Sequence, residues 1–221
     1  MKAFINGREC SFEQGETILQ VAKRNGVFIP TLCHFKPLDH KPGTCRVCLV
    51  EATDADGNAV MVTSCNTPMQ EGMKIDTLSR KVRRMQKLQV ELVFADHDQN
   101  CIACARHGDC ELQDLGEFVG LSSNRFAPRL QPERPFDDTM NGMVRDMTKC
   151  IRCLRCVEVC RKVQGVAALT VDGTGVDAHV GVGMAPSQNV SACIQCGQCE
   201  GACPQHLPIT DLLKEIHEAS C

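Results

Sequence analysis

No stretch of the 221 residues approaches the about 20 consecutive apolar residues of a membrane-spanning helix, so no segment reads as transmembrane. The start, Met1-Lys2-Ala3-Phe4-Ile5-Asn6-Gly7-Arg8, holds no apolar run of the signal-peptide kind. Charge of one sign is missing as well. The 24 basic and 27 acidic residues leave a net charge of −3, which gives no support to binding of nucleic acid or an anionic membrane. Gly173-Thr174-Gly175 and Gly181-Val182-Gly183 lack the preceding strand, third glycine and following helix of a dinucleotide loop. They read as turns between short strands, and no flavin or nucleotide is expected on this chain. Trp and Tyr are absent altogether, an absence for which we have no physical account.

Cysteine is what the chain has in excess, 17 of them. An odd count, repeated Cys-x2-Cys spacing and no leader argue against a disulfide framework and for metal-bound thiolates in a reducing cytosol. Two runs dominate the last third: Cys150-x2-Cys153-x2-Cys156-x3-Cys160, and Cys193-x2-Cys196-x2-Cys199-x3-Cys203-Pro204. Such runs are the pattern of paired [4Fe–4S] clusters, in which the fourth Cys of each run ligates the other cluster. The spacing therefore predicts one cluster on Cys150, Cys153, Cys156 and Cys203, and another on Cys193, Cys196, Cys199 and Cys160. A short loop places three thiolates around one face of a cubane, and crossing the runs supplies the fourth. The chemistry implied is electron transfer.

Two further constellations precede these. Cys33-x11-Cys45-x2-Cys48-x16-Cys65 offers four thiolates, which suit a [2Fe–2S] cluster or a structural zinc. Its loop, Gly43-Thr44-Cys45-Arg46-Val47-Cys48, has a glycine that would let backbone fold close to a cluster. His97-x3-Cys101-x2-Cys104-x5-Cys110 is one thiolate short of a [4Fe–4S] site. His97 can complete the set, and so can His107, a carboxylate or water. Imidazole in place of thiolate removes negative charge and raises the potential, as in Rieske centres. Cys10, in an expected strand, reads as an apolar filler, and Cys221 is the last residue. No residue reads as a general acid, base or nucleophile, so no active site is expected on the chain itself.

Residues 1–78 read as a β-rich module. Ala3-Phe4-Ile5, Asn6-Gly7 and Glu9 to Phe12 form a hairpin pattern, and Gly15-Glu16-Thr17 opens a helix that stops at Asn25-Gly26. Val47 to Ala52 and Ala59 to Val62 read as strands. In 79–125 a helix over 79–95 is expected, with Ser79 as N-cap and Val82, Met85, Leu88 or Gln89, Leu92 and Val93 as its apolar positions. Its other face carries Arg80, Lys81, Arg83, Arg84 and Lys87, and reads as solvated. Residues 126–142 hold three prolines without periodicity and read as a linker. The two-cluster domain occupies 143–205, and 206–221 forms a tail with a short helix.

Pro30-Thr31-Leu32-Cys33, Gly43 to Cys48, His97 to Gln113 and Cys150 to Val166 together carry a resemblance. The arrangement resembles the N-terminal half of [FeFe] hydrogenases, and is similar to the start of the large iron–sulfur subunit of respiratory complex I. The resemblance implies an α+β chain of three modules. These are a β-grasp domain with [2Fe–2S] on Cys33, Cys45, Cys48 and Cys65, a small helical domain with [4Fe–4S] on His97, Cys101, Cys104 and Cys110, and a bacterial-type two-cluster ferredoxin domain. That makes one [2Fe–2S] and three [4Fe–4S] clusters. It implies a subunit that relays single electrons between a flavin- and NAD(H)-binding partner and a second redox partner. The second partner would be a hydrogenase, a formate dehydrogenase, an NADP-linked flavoprotein of an electron-bifurcating transhydrogenase, or ferredoxin. The competing readings are a free-standing multi-cluster ferredoxin and a zinc-stapled interaction module. The sequence after Cys203, Pro204-Gln205-His206-Leu207-Pro208, departs from the hydrogenases, which continue into a catalytic domain.

Overall fold

The computed structural model describes residues 1–38, 43–126, 136–140, 143–174, 177–181, 193–194 and 196–207. The chain divides into two compact units. The first comprises Met1–His34, Lys41–Val93 and Leu112–Phe126, and the second Phe35–His40, Phe94–Glu111 and Ala127–Cys221.

In the first unit, β1 (Lys2–Ile5) and β2 (Arg8–Ser11) form the expected antiparallel hairpin. Asn6 and Gly7 take φ of 51° and 79°, the left-handed pair that a tight two-residue turn requires. Alternation sends Ala3, Ile5 and Cys10 inward. Helix α1 (Ile18–Arg24) starts at Thr17 in a capping box with Gln20 and ends at Asn25, its buried face being Ile18, Leu19, Val21 and Ala22. Strands β3 (Leu49–Thr53) and β4 (Ala59–Thr63) pair as expected. Strand β5 (Lys74–Asp76) was not anticipated. It is short, yet it is central, parallel to β1 and antiparallel to β3, giving the sheet order β2-β1-β5-β3-β4. Ile5, Val50, Ile75 and the buried face of α1 share one apolar core, which also holds Cys10 at 4% exposure, as the filler reading expects.

Helix α2 (Arg80–Ala95) begins beside Ser79, whose Oγ accepts the Val82 N–H at 3.2 Å. Its buried stripe corrects the expected apolar positions. Val82, Gln86, Val90 and Glu91 point inward, while Leu92 is exposed. Gln86 is tolerated because its Nε2 donates to the Leu49 carbonyl at 3.0 Å, and Glu91 because Arg125 pairs with it in a forked ion pair. Helix α3 (Glu111–Phe118) follows; Lys87 Nζ donates to Gly120 O at 2.7 Å, and the Arg83 guanidinium lies 5.0 Å above the Phe118 ring. The basic face is thus partly engaged with its own fold. Unit 1 takes in α2 to Val93 and most of α3 as well as the sheet.

In the second unit, β6 (Phe136–Met140) pairs antiparallel with β7 (Met143–Asp146), so part of the expected linker is a strand of a hairpin. Irregular Pro and charge content hid its pairing. Strands β8 (Thr170–Asp172) and β9 (His179–Gly181) form the short antiparallel pair expected of the insertion. Helix α4 (Arg155–Lys162) and helix α5 (Gln198–Gly201) each start within a cysteine run. Leu154, before α4, has φ 63°, and Gly197, before α5, has φ 70°. The two runs therefore repeat one backbone design, a left-handed residue after the second Cys that turns the chain into a helix bearing the third. The apolar core is small, Ala168, Leu169, Val180 and Leu207, with Cys150, Cys156, Cys160, Cys193, Cys199 and Cys203 packed against it. The expected tail helix and Cys221 lie outside the described residues.

Candidate iron–sulfur sites

All sixteen cysteines among the described residues are free of disulfides. Cys33, Cys48 and Cys65 are buried to about 1% exposure at the end of the loop and strand segments that frame β3. Sulfur–sulfur hydrogen bonds join Cys33 with Cys45, Cys48 with Cys65, and Cys33 with Cys65. The bonds donated by Cys45 and Cys65 hold the Cys33 thiol well below the ordinary range, and push Cys45 and Cys65 up. The same donation from Cys65 brings Cys48 down to about 7. Four sulfurs that share protons in this way become thiolates together only when a metal takes the protons' place. The links run as one chain, Cys45–Cys33–Cys65–Cys48, so the four sulfurs belong to one site. Among the described residues no three His, Cys, Asp or Glu side chains converge within reach of one ion. Four thiolates are what a two-iron centre takes, two per iron.

Gly43 serves this loop in a way the sequence did not foretell. Its φ is +61°, and a Cβ there would stand 2.6 Å from Asn66 Nδ2. The close approach is to the side chain following Cys65, which Thr63 Oγ1 holds by a short hydrogen bond.

His97 is buried, 7% exposed, on the segment after α2, whereas His107 is exposed. Burial holds the His97 imidazole below its usual pKa, favouring the neutral ring that can ligate iron. Its Nδ1 is buried without a hydrogen-bond partner among the described residues, a cost that a bound group would remove. The residues flanking it are fixed: Asp96 pairs with Arg152 at 3.3 Å, and the Asp98 N–H donates to Thr148 O at 3.0 Å. Cys101 opens a 3₁₀ turn, Cys101–Ala103, that Cys104 caps, and Cys110, 6% exposed, immediately precedes α3. The Arg106 N–H points at Cys104 Sγ, 3.5 Å away.

Cys150, Cys153, Cys156 and Cys203 line one cavity, with Leu154, Leu169, Val180 and Leu207 as its apolar wall. Burial pushes the Cys153 thiol up to about 12. Of the second run, Cys199 is pushed up to about 11 by burial, and Cys196 is exposed. The Ala168 N–H donates to Cys160 Sγ at 3.2 Å. Buried thiols with raised pKa and backbone N–H groups aimed at sulfur fit iron–sulfur clusters, whose metal charge outweighs the desolvation of thiolate and whose sulfurs accept such bonds. Two buried charged or polar groups beside these cysteines were not anticipated, Arg155 and Gln205, at 6% and 4% exposure. Polarity argues for solvent, so no pattern in the sequence marks them as interior.

Known families match the chain segment by segment. Residues 1–80 match a 2Fe-2S iron–sulfur cluster binding domain, 86–125 the NADH-ubiquinone oxidoreductase-G iron–sulfur binding region, and 149–207 a 4Fe-4S dicluster domain. NADP-reducing hydrogenase subunit HndD of Solidesulfovibrio fructosivorans is 34% identical over 213 residues, covering 90% of this chain and 34% of that protein, so the chain spans about a third of its length. The gamma subunit of the NAD-reducing hydrogenase HoxS of Cupriavidus necator is 33% identical over 201 residues, covering 87% of this chain and 82% of that one. A chain in the crystal structure of an NAD+-reducing [NiFe]-hydrogenase in the H2-reduced state superposes with a TM-score of 0.79 at 28% identity, over 92% of this chain and 84% of that chain. Taken with the grouped cysteines, these matches show that the chain belongs to the family of iron–sulfur subunits related to NADH-quinone oxidoreductase G and to the NAD(P)-reducing hydrogenase subunits.

Proposed function

We propose that the chain is an electron relay of four clusters: [2Fe–2S] on Cys33, Cys45, Cys48 and Cys65, and [4Fe–4S] on three sets. These sets are His97 with Cys101, Cys104 and Cys110; Cys150, Cys153, Cys156 with Cys203; and Cys160 with Cys193, Cys196, Cys199. The observation that carries the reading is Cys203 in the same cavity as the first run, which is the arrangement that crossed ligation requires. A mixed five-stranded sheet with α1 packed in its core supports a β-grasp for the [2Fe–2S] module. The three family matches support three modules, with the set of one histidine and three cysteines on its own helical segment.

Bound clusters supply one-electron steps, and the polypeptide fixes how far apart and how easily reduced they are. Leu169, Val180 and Leu207 give the first-run set an apolar wall. Backbone N–H groups of Ala168 and Arg106 hold charge at sulfur. A neutral ligand at His97 removes one negative charge from its site, which raises its potential. The names of the relatives, an NADP-reducing and an NAD-reducing hydrogenase, support an NAD(P)-linked partner on one side, which would carry the flavin. On the other would stand a hydrogenase, another NAD(P)-linked redox subunit or ferredoxin.

Anaerobic affinity purification from the source cell tests this, with iron, acid-labile sulfide, flavin and co-purifying subunits measured together. The relay reading expects iron and sulfide on this chain, and flavin with a nucleotide-binding partner. A chain that purifies alone with its iron and sulfide is a diffusible ferredoxin, and one that carries zinc is an interaction module.

A further inference from the structure

Gln205 is a carboxamide in an apolar place. It is 4% exposed, it lies two residues beyond Cys203, and it lines the cavity formed by Cys150, Cys153, Cys156 and Cys203. Its two polar atoms face a different site. Nε2 lies 3.8 Å and Oε1 3.9 Å from Cys110 Sγ, itself buried. As a thiol, Cys110 can donate to the oxygen or accept from the nitrogen. As an iron-bound thiolate it has no proton, and only the N–H donor matches it. Ligation therefore selects one orientation of the amide, with Nε2–H directed at sulfur.

We propose that Gln205 is a positioning residue that sets the potential of the cluster on His97, Cys101, Cys104 and Cys110. An N–H donor at a ligating sulfur stabilises negative charge there, and the reduced cluster carries more of it, so the donor favours the reduced form. The inference rests on the ligand set proposed above. It goes beyond that set because a residue of the ferredoxin segment, which ligates nothing, is given control over a cluster assigned to another segment.

The test is a redox titration of the intact purified complex, followed by electron paramagnetic resonance. The His97 cluster is identified as the signal displaced by His97→Cys. Gln205→Leu removes the donor, and Gln205→Glu keeps the shape while replacing the donor by an acceptor. In both, that one signal is expected to need a lower potential, by up to tenfold in the one-electron equilibrium, about 59 mV, with the other clusters unmoved. Glu is expected to shift it further than Leu. If Leu impairs assembly, Glu decides. An equilibrium unchanged within about twofold, or an equal shift of every cluster, overturns the inference. Absence of any His97-sensitive signal in the unsubstituted complex overturns the ligand set instead.

Discussion

Arg155 and Glu111 form a two-toothed ion pair, Nη1 to Oε1 at 3.0 Å and Nη2 to Oε2 at 2.7 Å, between the first turn of α4 and the residue after Cys110. The partners differ in burial. The Arg155 side chain is 7% exposed and that of Glu111 47%, and the guanidinium also lies 5.6 Å above the Phe35 ring. Removing Arg155 leaves a carboxylate that water can reach. Removing Glu111 takes a charged partner from a buried cation, the costlier loss. Glu111→Ala is therefore expected to destabilise the second unit by about 2 kcal/mol, and Arg155→Met by about 1 kcal/mol. Thermal loss of iron from the two variants reads the order, and a larger effect of Arg155→Met would sink the argument.

His97 carries the choice between a histidine-ligated cluster and a three-cysteine one. Substituting Cys restores four thiolates and adds a negative charge, so the cluster is expected to persist at a lower potential. His97→Ala is expected to lose it, while His107→Ala, at an exposed position, leaves iron content and potential alone. Iron and sulfide assays with a redox titration separate these outcomes. An unchanged potential in His97→Cys would show that His97 is no ligand.

What was legible in the sequence was whatever short-range chemistry dictates. The Asn6-Gly7 turn, the Thr17 cap and the Cys-x2-Cys loops each depend on a few adjacent residues. Less legible was whatever depends on a distant partner. Strand β5 has three residues and owes its central place to β1 and β3. Gln86 and Glu91 look like surface residues until Leu49 O and Arg125 meet them. Gln205 is hidden for the same reason: its partner, Cys110, is 95 residues away.

Gly43 offers a test of the [2Fe–2S] loop. An alanine there would hold a left-handed φ at a cost of about 1–2 kcal/mol, and its Cβ would press on Asn66, which Thr63 pins. Gly43→Ala is expected to lower occupancy of the Cys33, Cys45, Cys48 and Cys65 site while leaving the [4Fe–4S] signals in place. Visible circular dichroism with iron analysis measures it. Full occupancy would mean that Asn66 yields and the loop tolerates the strain.

Crossed ligation separates two variants that would otherwise look alike. Cys203 belongs to the second run by sequence, yet it lines the cavity of Cys150, Cys153 and Cys156. Cys160 belongs to the first run and accepts the Ala168 N–H. If each run held its own cluster, Cys203→Ser would damage the cluster of Cys193, Cys196 and Cys199. With crossing, it damages the cluster of Cys150, Cys153 and Cys156, and Cys160→Ser does the reverse. Serine keeps the shape and offers a harder, more basic oxygen, so the affected cluster is expected to persist in part with a lowered potential or to be lost, while its neighbour titrates as before. The two clusters are told apart by pairing each variant with Cys153→Ser. Under crossing, Cys203→Ser and Cys153→Ser disturb the same signal, and Cys160→Ser disturbs the other. If Cys160→Ser and Cys153→Ser share a signal instead, each run holds its own cluster.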